Sequence, residues 1–302
     1  MAYLYFVTIV LTWSVSFLLM KKAALVFGPL AIGGWRCFSG ALVLAAVWRV
    51  RGAGWPLARR DLMPLLGIVL VGFLWPYAVQ PYLVSRHGSG FIGMTMAFVP
   101  LLTILVSIPM LQVRPTSRQL FGVLGGLGFM SLLFADGLKR EVPGAHLLLA
   151  GTIPLTYALS NTYVKRRFAG VPALPFTLAA LFLAGALALP VSWSLPSERM
   201  NLGPDFAWAA LCLALLGVLG TGMAMFMFYR LVQEQGPLFA GMVTYLVPVG
   251  AIFWGWLDGE TVTGRQLGGL CGVLAMVAIV QYGAPLKAAA PPVAPALAKA
   301  AD

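Results

Sequence analysis

Thr8–Lys22, TIVLTWSVSFLLMKK, and Thr152–Arg166, TIPLTYALSNTYVKR, are two versions of one segment: six of the 15 aligned pairs are identical, and Trp13/Tyr157 and Lys22/Arg166 are conservative. Two further windows repeat at nearly the same offset. His87–Leu101 (HGSGFIGMTMAFVPL) matches Gln235–Val249 (QGPLFAGMVTYLVPV) at six of 15 positions, including Gly93/Gly241 and Pro100/Pro248. Arg118–Leu127 (RQLFGVLGGL) matches Arg265–Leu274 (RQLGGLCGVL) at six of 10. Leu, Gly and Ala coincide often in an apolar chain, but coincident Arg, Gln, Lys and Pro at one offset do not. The chain is a tandem duplication.

Composition says what was duplicated. Of 302 residues 60% are apolar and 10% charged, and mean hydropathy is +0.90. A soluble domain has roughly 45–50% apolar and about 25% charged residues, and could not cover this much hydrocarbon with polar groups. The chain is expected to be a polytopic membrane protein. Apolar runs bounded by charge or by Gly and Pro predict spans near 3–20, 29–48, 62–84, 89–111, 118–135, 145–164, 173–193, 206–230, 237–257 and 265–283. Continuous apolar runs without alternation argue for helices over barrel strands. The start lacks a basic n-region and a small-residue cleavage site, so it is read as a retained span.

Two copies of five spans carry a mechanistic implication. An odd number of crossings puts the copies in opposite orientations, and inverted repeats recur in secondary transporters with the substrate site between the copies. The expected fold is therefore all-α: ten transmembrane helices as two inverted five-helix repeats around a central cavity, residues 1–140 and 141–286, followed by a disordered Ala/Pro-rich tail, 287–302. The net charge of +11 sits in loop clusters and not on one folded face, which excludes nucleic acid as a partner. With the N-terminus inside, 12 Lys and Arg fall on the cytoplasmic side, 7 on the other and Arg36 within a span, so both termini are expected in the cytoplasm.

These features resemble the drug/metabolite transporter superfamily, and within it the ten-span EamA-type exporters, over residues 3–283. The resemblance is carried by the five-span repeat, by Trp13–Ser16 and Tyr157–Ser160 opening each copy, by the Gly-rich lead into a Pro-containing fourth span, and by Arg118–Gly122 and Arg265–Gly269 opening each fifth span. Trp256–Gln266 (WLDGETVTGRQ) resembles the family's Gly-Glu…Gln segment, but the first copy has Gln112 where Glu260 stands, so no role shared by both copies is assigned to that Glu. Length and aromatic content are most like the superfamily's aromatic-amino-acid exporters. The resemblance implies a plasma (inner) membrane exporter of small metabolites.

Candidate site residues follow from chemistry. Trp13 and Ser16, with Tyr157 and Asn161, place aromatic and polar groups on matching helix faces. Such a face lines a cavity or bonds to a neighbouring helix. In Trp75–Tyr82 (WPYAVQPY), Pro76 and Pro81 are expected to break the third helix, exposing Tyr77, Gln80 and Tyr82 to substrate; an interfacial aromatic belt is the rival reading for Tyr82. Met94, Phe98 and Tyr245 supply a soft wall suited to a flat side chain. Gly90, Pro100, Gly241 and Pro248 are expected hinges. Gly122/Gly126 and Gly268/Gly272 read as helix-packing faces, with a weak homodimer contact as the alternative to a monomer. Arg36 is read chiefly as a structural group and His87 chiefly as a loop-end histidine.

All nine carboxylates fall outside the predicted spans, which argues against a carboxylate proton or sodium relay and for facilitated diffusion. An enzyme is disfavoured: there is no H-E-x-x-H, no G-x-S-x-G and no phosphate loop, and the two histidines are far apart in sequence. No cofactor or metal is expected. The expected partners are membrane lipid and a small neutral or aromatic amino acid. A carrier of nucleosides or purines, drugs, or threonine and homoserine, possessing proton coupling or lacking it, is the alternative.

Overall fold

The structure is a computed structural model describing residues 2–52, 54–112, 114–139, 141–198, 200, 202–235 and 243–281. Among these residues ten helical segments form one bundle: α1 (Ala2–Ala23), α2 (Pro29–Arg51), α3 (Arg59–His87), α4 (Ser89–Leu111), α5 (Ser117–Lys139), α6 (Gly144–Arg167), α7 (Ala173–Ser194), α8 (206–235), α9 (Val243–Leu257) and α10 (Gly264–Gln281). Seven of them are long and apolar enough to cross a bilayer. α6 is as long at 24 residues but carries the Thr, Tyr, Ser and Asn of the repeated motif. Leu4, Phe121, Leu124, Leu148 and Trp256 are 60–74% exposed, a surface suited to lipid tails and not to water.

The helix pairing reflects the duplication. α2 packs on α7, α4 on α9 and α5 on α10, so three helices meet their own counterparts; α1 meets α9 as α6 meets α4, and α1 meets α8 as α6 meets α3. The irregular turns recur too. α3 widens to a π-helix over Val69–Leu74, and α8 does so over Val218–Met223. In α3 this widening lies just before Pro76, whose missing amide cannot continue the regular ladder. The expected break at the prolines is therefore a π-turn one turn earlier, and Pro81 sits inside a continuing helix.

Both π-turns are packed by the same residue type. A side-chain carbon on Gly220 of α8 would strike Ser16 of α1, and one on Gly72 of α3 would strike Ser160 of α6. Three of the four stripe glycines of α5 and α10 are likewise internal, Gly122 against Val280, Gly126 against Leu101 and Gly272 against Phe129, while Gly268 has open space beside it. α4 is interrupted by a 3-10 turn over Thr95–Phe98, directly before Pro100.

One boundary corrects the carboxylate reading. α5 runs to Lys139, so Asp136 lies within its last turn, 4% exposed, and accepts a hydrogen bond from Thr263 Oγ1 at 3.0 Å.

Candidate functional site

Midway through the bundle, polar side chains from both halves converge. Arg36 lies seven residues into α2, about 10 Å along the helix axis, and is 7% exposed. Its Nε–H donates to Thr221 Oγ1 at 2.8 Å, its terminal nitrogen reaches Met20 Sδ at 3.7 Å, and its guanidinium carbon lies 4.1 Å from the Tyr77 ring centroid. Thr221 is held in turn by donating to Leu216 O at 3.1 Å, a five-residue reach that the π-turn of α8 makes available. Three residues beyond Tyr77 on α3, Gln80 Nε2 donates to Tyr157 Oη of α6 at 3.3 Å and touches Met96 Sδ at 3.7 Å.

Electrostatically, the cluster is a buried cation without a buried anion. Among the described residues no carboxylate pairs with Arg36; its partners are a hydroxyl, a thioether and an aromatic face. It does not extend to an interface as a snorkelling side chain would. Burying a guanidinium against neutral partners costs several kcal/mol, and a hydroxyl bond at about 1 kcal/mol and a cation–π contact at about 1–2 kcal/mol offset only part of that. The chemistry left open is capture of a carboxylate or similar anion beside two tyrosines and an amide.

The expected site residues divide into three groups. Tyr77, Gln80 and Tyr157 belong to the cluster. Trp13 stands one helix away, half-buried, 5.2 Å from Phe228 of α8; Met94 and Phe98 are buried in the adjoining apolar core, and Tyr245 is half-buried against it. The rest lie elsewhere. Ser16 donates to Thr12 O at 2.6 Å and packs on Gly220, which is helix-to-helix contact. Asn161 is exposed, one turn beyond Tyr157 on α6. Tyr82 lies at the far end of α3. Gly90 binds a carboxylate, Pro100 and Pro248 sit at or inside helical segments, and Gly241 falls outside the described residues.

Sequence reasoning missed the structure at one end of the bundle. There Glu260 Oε1 accepts from Lys21 Nζ at 2.7 Å, Ser89 N at 2.7 Å and Ser89 Oγ at 2.9 Å, while Oε2 accepts from Gly90 N at 2.9 Å. Asp258 pairs with Lys21 at 2.7 Å and with Lys22. One carboxylate thus caps the N-terminus of α4, where the helix dipole favours negative charge, and ties it to the end of α1. Burial opposes charge on Glu260 and Asp258, but the lysines, and for Glu260 the Ser89 and Gly90 amides, outweigh it and hold both carboxyls below their usual range. At the opposite end, Arg167 reaches Asp61 at 3.3 Å. Among the described residues no three His, Cys, Asp or Glu side chains converge as a metal site would require.

Comparison with known proteins agrees with this architecture. A solved protein crystal structure superposes with a TM-score of 0.66 at 20% identity, covering 92% of this chain and 96% of that one. Protein PecM of Dickeya dadantii is 24% identical over 221 residues, 72% of each chain, and the uncharacterized transporter YoaV of Bacillus subtilis is 20% identical over 257 residues, 83% of this chain and 86% of its own. The model of the EamA-like transporter family matches residues 1–135 and 144–282. The chain is a membrane transporter belonging to the EamA-like transporter family.

Proposed function

We propose that this transporter exports small neutral and aromatic amino acids across the plasma (inner) membrane by facilitated diffusion, the two halves, 1–140 and 141–286, rocking about the buried cluster. The observation that carries this reading is Arg36: a buried guanidinium with no carboxylate partner among the described residues. A substrate carboxylate supplies the missing anion, and Tyr77, Tyr157 and the soft Met96 and Met20 side chains suit an apolar or aromatic substituent. Gln80 supplies an amide oxygen for the substrate ammonium. No carboxylate stands in the cluster to relay protons or sodium among the described residues.

Alternating access requires the cluster to open to each side in turn. The Lys21–Glu260–Asp258 latch closes one end in this conformation, and the positive-inside count places that end outside the cell with both termini in the cytoplasm. The 3-10 turn before Pro100 and the two π-turns are where the helices bend. Gly122 and Gly272 are taken up by packing between α5 and α10, which supports a monomer as the working unit, with a weak homodimer as the alternative. A purine or nucleoside would stack on the tyrosines but leave Arg36 without an anion, and a cationic drug would be repelled by it.

The test is uptake of labelled phenylalanine into proteoliposomes, competed by tryptophan, threonine, homoserine, adenosine and a quaternary-ammonium drug, with and without a pH gradient. Saturable uptake that is inhibited by the amino acids, and that never accumulates substrate above equilibrium when a pH gradient is imposed, supports the reading. Inhibition by adenosine alone, or the absence of saturable amino acid flux, overturns it.

A further inference from the structure

The sequence contains two histidines, and the fold brings them into direct contact. His87, the last residue of α3, places Nε2 2.7 Å from Nδ1 of His146 in the first turn of α6, and His146 Nε2 lies 3.3 Å from Tyr82 Oη. Both imidazoles are half-buried, and their end of the bundle is the one closed by Glu260. We infer that His87 and His146 form a proton-binding site whose second proton releases the latch.

Donors and acceptors decide how the pair responds to protons. With at most one proton beyond neutrality, a choice of tautomers gives the 2.7 Å contact an N–H on one side and a lone pair on the other. His146 then relays the arrangement to Tyr82, donating or accepting according to its tautomer. With both imidazoles protonated, all four ring nitrogens carry hydrogens and the contact has no acceptor. Two positive charges also face each other at that distance, and the bond between α3 and α6 breaks.

The surrounding charges set the response. On α3, Arg86 stacks over Tyr82 at 3.8 Å and donates to Tyr82 O at 2.9 Å, adding positive charge beside the pair. α5 ends on Lys139, the turn before α6 carries Glu141, and Asp136 is hydrogen-bonded to Thr263. From the α9–α10 loop Glu260 and Asp258 face the start of α4, and both are neutralised by Lys21 and Lys22 of α1. No carboxylate among the described residues bonds either imidazole.

Displacement of His87 is transmitted by one residue. Gly88 turns the chain with φ of 93°, a conformation open to glycine, and the next two amides, Ser89 and Gly90, are those held by Glu260. Breaking the imidazole contact therefore pulls on the capped N-terminus of α4. The sign follows: the closed arrangement is favoured at neutral and higher pH and is lost as pH falls below the ordinary imidazole range near about 6.5. The two carboxylates, held below their usual range, stay ionised throughout that window. Acid on the latch side thus favours opening toward that side. Only the consequence for transport rests on the carrier reading above; the proton site does not.

Two measurements without substrate test it. In protein carrying 15N-histidine in lipid nanodiscs, the imidazole shifts should titrate in two separated steps, and in His146→Gln His87 should titrate in a single step that burial and Arg86 still hold below the ordinary value. Hydrogen exchange at Ser89 and Gly90, corrected for intrinsic rates, should speed up at least about threefold from pH 8 to pH 5.5 in the wild type. It should remain flat in both His87→Gln and His146→Gln, and be fast at every pH in Glu260→Gln. Two independent single-site titrations, or exchange that does not depend on pH, would overturn the inference. Since neither measurement reads flux, failure of amino acid transport leaves both outcomes interpretable.

Discussion

Replacing Arg36 separates a ligand-binding role from a structural one. Arg36→Met keeps much of the side-chain volume, removes the charge and deletes two contacts: the 2.8 Å bond to Thr221, worth about 1 kcal/mol, and the stacking on Tyr77, worth about 1–2 kcal/mol. Against these losses stands relief of a guanidinium buried without an anion, several kcal/mol in the other direction. Thermal unfolding in detergent should therefore show a midpoint unchanged or raised. Substrate loses a charge-assisted bond worth about 1.5–3 kcal/mol, which is about 10- to 150-fold in affinity. The assay is phenylalanine uptake into proteoliposomes across a concentration series, with protein insertion quantified. Arg36→Met should raise KM by that factor, and Arg36→Lys should restore part of it, since an ammonium keeps the charge but not the planar donor set. An unfolding midpoint that falls sharply while KM stays at the wild-type value would make Arg36 a structural group and not a substrate ligand.

Tyr157→Phe, which removes the partner of Gln80 at 3.3 Å, should weaken uptake by about 2- to 10-fold through a net bond of about 0.5–1.5 kcal/mol, whereas Asn161→Ala, at an exposed position one turn beyond Tyr157, should change KM by less than about twofold. Gly220→Val drives methyl groups against Ser16 and should cost about 1–3 kcal/mol of stability, measured as a lower unfolding midpoint. Glu260→Gln removes the charge that accepts from Lys21, Ser89 and Gly90; loss of hydrogen-exchange protection at the start of α4 should report it. Because Glu260 and Asp258 are held below their usual range, their contribution is fully present above about pH 4.3, the ordinary Glu value, and is lost as pH falls through their lower native values. Latch protection in His87→Gln should accordingly stay flat from pH 8 to pH 5.

The helices and their duplication were legible because each depends on a repeated local pattern: runs of about 20 apolar residues bounded by charge, and matched Arg, Gln and Pro at one offset. The pair of π-turns was also legible in principle, since VLVGFL at Val69–Leu74 and VLGTGM at Val218–Met223 stand 149 residues apart, close to the offset of the other windows. The cluster was only half legible. Tyr77, Gln80 and Tyr157 stood out as polar groups in apolar runs, but Arg36 and Thr221 are 185 residues apart and neither carries a local sign of the other. Ser16 was misleading because a serine facing a neighbouring helix and a serine facing a cavity have the same periodicity. His87 and His146, 59 residues apart, meet only because α3 ends where α6 begins. Glu260 was discounted because Gln112 replaces it in the first copy. In the structure that difference gives one end of the bundle a charged latch, and symmetry between the repeats hides such a feature.

The claim on which the rest depends is that a zwitterion binds within the bundle and is carried through by alternation of two closed ends. Counterflow measures this most directly. Proteoliposomes are preloaded with unlabelled phenylalanine and diluted into a trace of labelled phenylalanine, with pH and ions equal on both sides. Transient accumulation of label above equilibrium is expected, strongly reduced in Arg36→Met at preloads below its raised KM and retained in Asn161→Ala. Label that only equilibrates, at a rate unaffected by the internal load, would contradict it.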